Sequence, residues 1–421
     1  MDFIITKFDS GAARGAMRAV IEASIMRKDS QCAAGSKIME GFISPFDATV
    51  VSRLEEANIE IVGIAKMDEF GITGLFADKL EHCSGAVSAV EKGIADIALC
   101  NDFTGYVGQQ AAERGLYYIH PTYGTVSRFG LIPAASSMDQ IGIVCKQPDR
   151  GFKVLAQIAG SDPKDGAMYE SMLKSVDVDT SNKDGDVSQS LFNGKPLRMA
   201  IPGNINAIYK HEADLASLFP NAETINFELA YFDAYKQIMQ ILCSAEISSN
   251  ISRYDGISFG YRAQGFANLQ ELYTKSRTEA LGKYAKLAAI LGAMVLSKEN
   301  YLRYYDKAMR IRRIVKESLD FSKYDSIVLP ATVNGMHMGT KHGSNTDIVN
   351  AESTITSKTQ EAEASSATTD TLSAWNLGLY ALPRLCGLPA MTIPTNTGGI
   401  TLVADAGRED ILLALSRFAV E

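Results

Sequence analysis

The chain has 421 residues, 46% of them hydrophobic and 21% charged, with a net charge of −8. That composition fits a globular protein with a sizeable core, and the negative balance excludes a global electrostatic drive toward nucleic acid. The six cysteines form no CxxC pair, so neither a zinc site nor a disulfide framework is indicated, and buried thiols in a reducing compartment are expected.

In chain order, Met1–Lys7 lacks the charged-then-apolar layout of a signal peptide, and no run reaches the roughly 18 apolar residues of a membrane span. A cytoplasmic location is expected. Residues 10–40 are rich in Ala, Gly and Ser. Asp47–Ala57 reads as a helix with Asp47 as N-cap and Val50, Val51 and Leu54 on its apolar face. Ile59–Ala65 reads as a buried strand, Ser84–Lys92 as a helix, and Ile94–Cys100 as the next strand. This alternation predicts an α/β sheet. Phe227–Asn250 and Thr278–Val295 have helical apolar spacing, and Glu299–Ser318 reads as a charged amphipathic helix. Asp325–Pro330 is a strand ending in proline. Gly343–Thr371 is polar and aperiodic and reads as a flexible surface loop. Pro389–Pro394 and Ile400–Ala404 are late strands, and Asp410–Val420 is a closing helix.

Several runs together resemble the amidase signature family, above all the A subunits of glutamyl-tRNA(Gln) amidotransferase. They are Gly35–Met39, Ser44–Val51, Lys66–Phe70, Pro121–Leu131, Ala135–Gly142, Arg253–Ile257, Glu271–Arg277 and Gly387–Ala390, in the family's order. The resemblance implies a single amidase-signature domain over residues 1–421, an α/β/α sandwich around a mixed, mostly parallel sheet, without the family's usual N-terminal helical region. It also implies a lysine, a cis-peptide serine and a nucleophilic serine, with the backbone of a glycine-rich loop holding the oxyanion.

The residues at those positions depart from that pattern. Counting back from Gly35–Ile38, the lysine of the family's I-K-D-N-I strand falls on Glu22. A carboxylate reverses the charge and cannot reproduce an amine. Lys28 lies about six extended residues away, roughly 20 Å. Counting back from Pro121, the family's D-T-G-G-S-I-R-Q-P loop falls on Asp102–Gln110, so the nucleophile becomes Tyr106 and one loop glycine becomes Thr104. The oxyanion loop would be Phe103, Thr104 and Gly105, and a β-branched residue resists the backbone conformations such loops use. The cis-serine position falls on His82, or on Cys83 or Ser84 after a shift of one or two residues. Gly71–Phe76 is short where the family has a longer substrate-side loop. The family's two substrate arginines in the G-K-x-x-K-R-R-I helix fall on Leu287 and Ala288, and an upstream aspartate falls near Leu377, with Asp370 in reach after a shift.

These coordinated changes lead to the expectation of an amidase fold that has lost amidase chemistry. Such a chain would serve as a structural or regulatory subunit, with an amidase- or amidotransferase-type subunit, or a second copy of itself, as its partner. The alternatives are repurposed chemistry at Glu22, His82 and Tyr106, where a carboxylate or imidazole acts as base toward a phenol, or a true amidotransferase A subunit with its site elsewhere. The bland counterpart of the first alternative is a hydrogen-bonded cluster filling a vacated site. Met336, His337, Met338 and His342 could resemble a soft-metal cluster but sit in polar loop sequence without carboxylate or cysteine spacing, so no metal is expected. No cofactor is expected. The basic run Lys307–Arg313 reads as a solvated helix face, and direct nucleic-acid contact is not expected.

Overall fold

The computed structural model describes residues 3–8, 17–77, 83–168, 196–206, 218–331, 377–396 and 398–418. Eleven strands form one sheet: β1 (Ile4–Lys7), β2 (Arg18–Glu22), β3 (Glu60–Ala65), β4 (Ile97–Asn101), β5 (Tyr117–His120), β6 (Ile141–Cys145), β7 (Arg198–Pro202), β8 (Glu223–Phe227), β9 (Ser326–Pro330), β10 (Ala390–Ile393) and β11 (Ile400–Val403). Their order is β1-β3-β2-β4-β6-β5-β10-β11-β9-β7-β8. The sheet is mixed, as expected, but not mostly parallel. Six of its ten pairings are antiparallel, because a central block from β4 to β9 runs up and down. Parallel pairing is confined to the flanks: β3 with β2 and β2 with β4 on one side, β9 with β7 and β7 with β8 on the other.

Strand side chains alternate between two covered faces. Ile21, Leu99, Ile119 and Ile143 pack with α1 (Thr49–Glu56), α4 (Pro148–Ile158) and the C-terminal helix Glu409–Phe418. Val20, Ala98, Tyr118 and Val144 point the other way, onto α2 (Gly85–Glu91) and α3 (Tyr106–Glu113). Each such aliphatic side chain, fully withdrawn from water, contributes about 1.5–3 kcal/mol. A third apolar cluster joins α5 (Tyr235–Ile251), α7 (Lys283–Leu296) and the helical residues 377–386 to the sheet.

Several boundaries differ from the sequence expectation for local reasons. Asp47 does not cap α1: Ala48 is the N-cap, and Asp47 Oδ1 accepts from Lys28 N–H at 2.8 Å. The helix expected from Phe227 begins at Tyr235, because Phe227 ends β8 and Tyr231, with φ +56°, breaks the helical backbone. The helix expected over Thr278–Val295 is two: α6 (Leu269–Ala280), capped by the Asn268 side chain, and α7, which restarts after Gly282. The amphipathic helix at Glu299–Ser318 is a π-helical turn, Tyr301–Tyr305, followed by α8 (Asp306–Glu317). The Gly343–Thr371 loop, Asp370 and the Met336–His342 cluster lie outside the described residues. The six cysteines are free, and all but half-buried Cys83 are buried.

Candidate functional site

β2, β3 and β4 run parallel, and their carboxyl ends meet at one corner of the sheet. Ligand sites in open α/β sheets favour such ends. Each chain segment delivers a carboxylate there: Glu22 closes β2, Asp68 follows β3, and Asp102 follows β4. The N-termini of α2 and α3 close over the corner, so the local backbone offers N–H groups to negative charge.

Glu22 is 2% exposed, and its Oε2 accepts from Asn101 N–H at 3.0 Å. Burial pushes its carboxyl well above the ordinary value. The Asn101 N–H and a hydrogen bond from the Ser84 hydroxyl pull it back, while neighbouring Asp68 and Asp102 push it further up. Asp68 Oδ2 accepts from Thr73 N–H at 2.9 Å, and burial raises that carboxyl as well. Ser84 is the N-cap of α2. Its hydroxyl also accepts from Ala86 N–H at 3.2 Å, and its own N–H donates to Gln110 Oε1 at 2.7 Å.

Asp102 organises the turn into α3. Its Oδ1 accepts from Gly105 N–H at 2.8 Å, with the Thr104 hydroxyl at 3.5 Å, and its Oδ2 accepts from Gly108 N–H at 3.0 Å. The buried Arg384 guanidinium donates to Asp102 Oδ2 at 3.3 Å, to the Asp102 carbonyl at 3.1 Å and to the Tyr380 carbonyl at 3.1 Å. The backbone N–H groups of Gly105 and Gly108 in this loop are thus engaged internally by Asp102. Gly105 has φ +87°, and a Cβ there would lie 2.3 Å from Tyr380 Cβ, so glycine is required on both counts.

The remaining sequence candidates fall into different surroundings. Tyr106 opens α3 half-buried. The loop at Gly74 closes over it so tightly that a Cβ on Gly74 would lie 2.6 Å from Thr104 Oγ1 and 2.8 Å from Tyr106 Cδ2. Phe103 is fully buried in the apolar cluster that also holds Ala288 and Leu377. Leu287, next to Ala288, points to solvent and is 44% exposed. Cys83 is half-buried with its thiol raised by burial, which disfavours a thiolate nucleophile. His82 lies outside the described residues. Lys28 is exposed, while Glu22 occupies the buried strand end. Of the candidates, the structure brings Ser84 beside Glu22 and sets Thr104, Gly105 and Tyr106 around the Asp102 turn.

Sequence reading missed Arg384 and the part played by Asp68 and Asn101. A lone arginine inside the apolar run Leu379–Leu388 was the available signal for the first. Asn101 extends the network inward: its side chain donates to Asp139 Oδ1 at 2.9 Å and accepts from Gln140 N–H at 3.0 Å. A separate cleft of about 200 Å³ is lined by Arg128, Phe129, Ser136, Asp139 and Lys164 among others, and includes none of the candidates. Among the described residues, no group of three His, Cys, Asp or Glu side chains could hold a metal ion, and no helix is long and apolar enough to cross a membrane.

The sheet, the two helix N-termini at the corner and the loop after β4 define an amidase-type scaffold, and residues 83–413 match the amidase family model; the chain belongs to that family. Among relatives, it is similar to the A subunit of glutamyl-tRNA(Gln) amidotransferase from Lachnoclostridium phytofermentans, with 36% identity over 336 residues, covering 72% of this chain and 66% of that protein. The corresponding protein of Macrococcus caseolyticus is 31% identical over 405 residues, covering 89% of this chain and 76% of the relative. The solved structure of the glutamyl-tRNA(Gln) amidotransferase A subunit from Thermotoga maritima superposes with a TM-score of 0.67 at 21% identity, covering 100% of this chain and 87% of that one, which shows the shared fold.

Proposed function

We propose that this chain is an amidotransferase-A-like subunit in which amide hydrolysis has been dismantled and which acts as a structural or regulatory member of a protein complex in the cytoplasm. The observation that carries the reading is Glu22. By count, the family's lysine falls on this buried carboxylate, which accepts from Asn101 N–H, lies beside Ser84 and has two more carboxylates as neighbours. A carboxyl held toward its neutral form beside Ser84 cannot serve as the neutral-amine base that a serine relay needs. The tight approach of Gly74 to Thr104 and Tyr106 supports the same reading, since the loop packs directly on those side chains. Ala288 and Leu377 add to it, because apolar core stands where a substrate carboxylate and ammonium would need partners. The relatives are named as subunits, which supports a companion chain. Treating the whole chain as one amidase-signature domain belongs to the same proposal.

The relatives' names favour a second reading, a working amidotransferase A subunit. On names alone it is the better supported; the residues at the corner support the first. Hydrolysis of glutamine, asparagine and simple amides by the full chain separates them. The first reading expects no turnover above the uncatalysed rate. Turnover that Tyr106→Phe or Glu22→Gln removes would overturn it in favour of catalysis at this corner, and turnover indifferent to both would place a working site elsewhere.

A further inference from the structure

The cleft of about 200 Å³ beside Arg128 is smaller than the roughly 300–1,000 Å³ of pockets that take drug-sized molecules, so it suits a smaller ligand. Phe129, Leu131 and Pro133 give it an apolar wall. Arg128, Asp139, Lys164 and Asp165 bring charge to it. The Arg128 guanidinium is fixed in place. Its Nε and Nη2 donate to the Asp165 carboxylate at 3.1 and 3.0 Å, and its Nη1 donates to the Tyr123 hydroxyl at 2.9 Å and to the Ser136 carbonyl. These bonds leave one Nη2 N–H without a partner among the described residues. Asp165 also accepts from the Arg128 and Ala167 N–H groups at 2.8 and 3.0 Å, so this pair closes on itself.

Lys164 is the cation that the cleft does not match. Its Nζ lies 4.8 Å from the centroid of the Phe129 ring, which is itself stacked on Phe46 at 5.1 Å, and it makes no ion pair among the described residues. The two acids beside it in sequence are engaged elsewhere. Asp162 accepts from the Thr49 and Ser127 hydroxyls at 2.5 and 2.6 Å and from the Lys164 N–H at 3.0 Å, and Asp165 holds Arg128. Asp139 is spent as well: it accepts from the Asn101 side chain and from the Ala134 and Ala135 N–H groups, and burial pushes its carboxyl up, toward the neutral form. Arg128 and Asp165 cancel, so the cleft is left with one uncompensated positive charge beside an apolar wall. A phosphate dianion would bring two charges to that one free cation and set the second against Asp165. An uncharged molecule would leave Lys164 unmatched.

We propose that this cleft binds a small monocarboxylate with a short apolar or aromatic body. The carboxylate meets the Lys164 ammonium and the spare Arg128 N–H, and the body lies on Phe129, Leu131 and Pro133. Because Arg128 is already held by its own partners, little ordering is needed when the ligand arrives. The cleft shares no lining residue with Glu22, Ser84, Asp102 or Tyr106, so its ligand stands apart from the fate of amide hydrolysis at the corner.

Benzoate and its uncharged analogue benzyl alcohol test it, titrated into the full chain and followed by ligand-observed NMR. Benzoate is expected to bind saturably, in the millimolar range set by so small a ligand, and at least about fivefold more tightly than benzyl alcohol. Lys164→Met should weaken benzoate about fivefold and leave benzyl alcohol unchanged, while Lys164→Arg should retain binding. Lys298→Met removes an exposed lysine outside the cleft and should change neither ligand. Lys164 is exposed too, so far-UV circular dichroism should be the same for all variants. Equal binding of the two ligands, benzoate binding indifferent to Lys164→Met, or no saturable benzoate binding would each overturn the proposal. Displacement of benzoate by an equal concentration of inorganic phosphate would overturn the assignment of a monocarboxylate. Ammonia release from amides reports on the corner alone, so the two readings fail separately.

Discussion

The corner at the ends of β2, β3 and β4 and the outward face of α7 treat polar and apolar groups in opposite ways. At the corner, three carboxylates are withdrawn from water and met by backbone N–H groups and the Arg384 guanidinium. On α7, the aliphatic side chains of Leu287, Ile290 and Met294 stand in solvent. The first region has turned its interactions inward, and the second has left its own unspent.

The comparison can be broken at its most buried point. Arg384→Met leaves Asp102 in the core without its cation and is expected to cost about 3–5 kcal/mol in denaturant unfolding. A loss below about 1 kcal/mol would mean that the backbone N–H groups of Gly105 and Gly108 suffice for Asp102. Gly74→Ala should cost about 1–3 kcal/mol, since the new methyl meets Thr104 and Tyr106. A neutral result would show that the Gly71–Phe76 loop lifts easily and that the corner can open.

The pH dependence sharpens the same contrast. Burial raises the folded-state Glu22 carboxyl above its unfolded value, so its neutral form favours folding. That contribution is fully present below the ordinary carboxylate range and is lost as pH rises through the folded value. Asp68 and Asp139 shift in the same direction, so the informative quantity is the difference between wild type and Glu22→Gln. The glutamine variant is expected to gain stability relative to wild type as pH rises from about 4 to about 8, read from urea midpoints. A constant difference would contradict the assigned cause. The smallest expected effect lies on α7: Leu287→Arg should change stability by no more than about 0.5 kcal/mol, because the position is exposed. A larger loss would show that Leu287 is held by the fold and is not available to a partner.

Much of the scaffold was legible where periodicity was strong and boundaries were polar. α1, β3, α2, β4 and the pair β10–β11 fall within a few residues of their expected spans. β5 and β6, Tyr117–His120 and Ile141–Cys145, were not read. The expected helix at Phe227 starts later, at Tyr235, since Phe227 ends β8 and Tyr231 takes a left-handed conformation, φ +56°, that interrupts a helix. Gly282 looked like an interior residue and instead separates α6 from α7. At the corner, counting motifs pointed to Glu22, to the Asp102–Tyr106 turn and to His82, Cys83 or Ser84; Ser84 stands beside Glu22, and His82 lies outside the described residues. Arg384 was out of reach of any motif, because it meets Asp102 from a position 282 residues away.

The central claim is that the amidase scaffold persists without amide hydrolysis at the Glu22 corner. The most direct measurement is ammonia release from glutamine by the full chain, beside Glu22→Gln and Tyr106→Phe. The account predicts that all three release no more than buffer does. Release by the wild type that either substitution abolishes would contradict it.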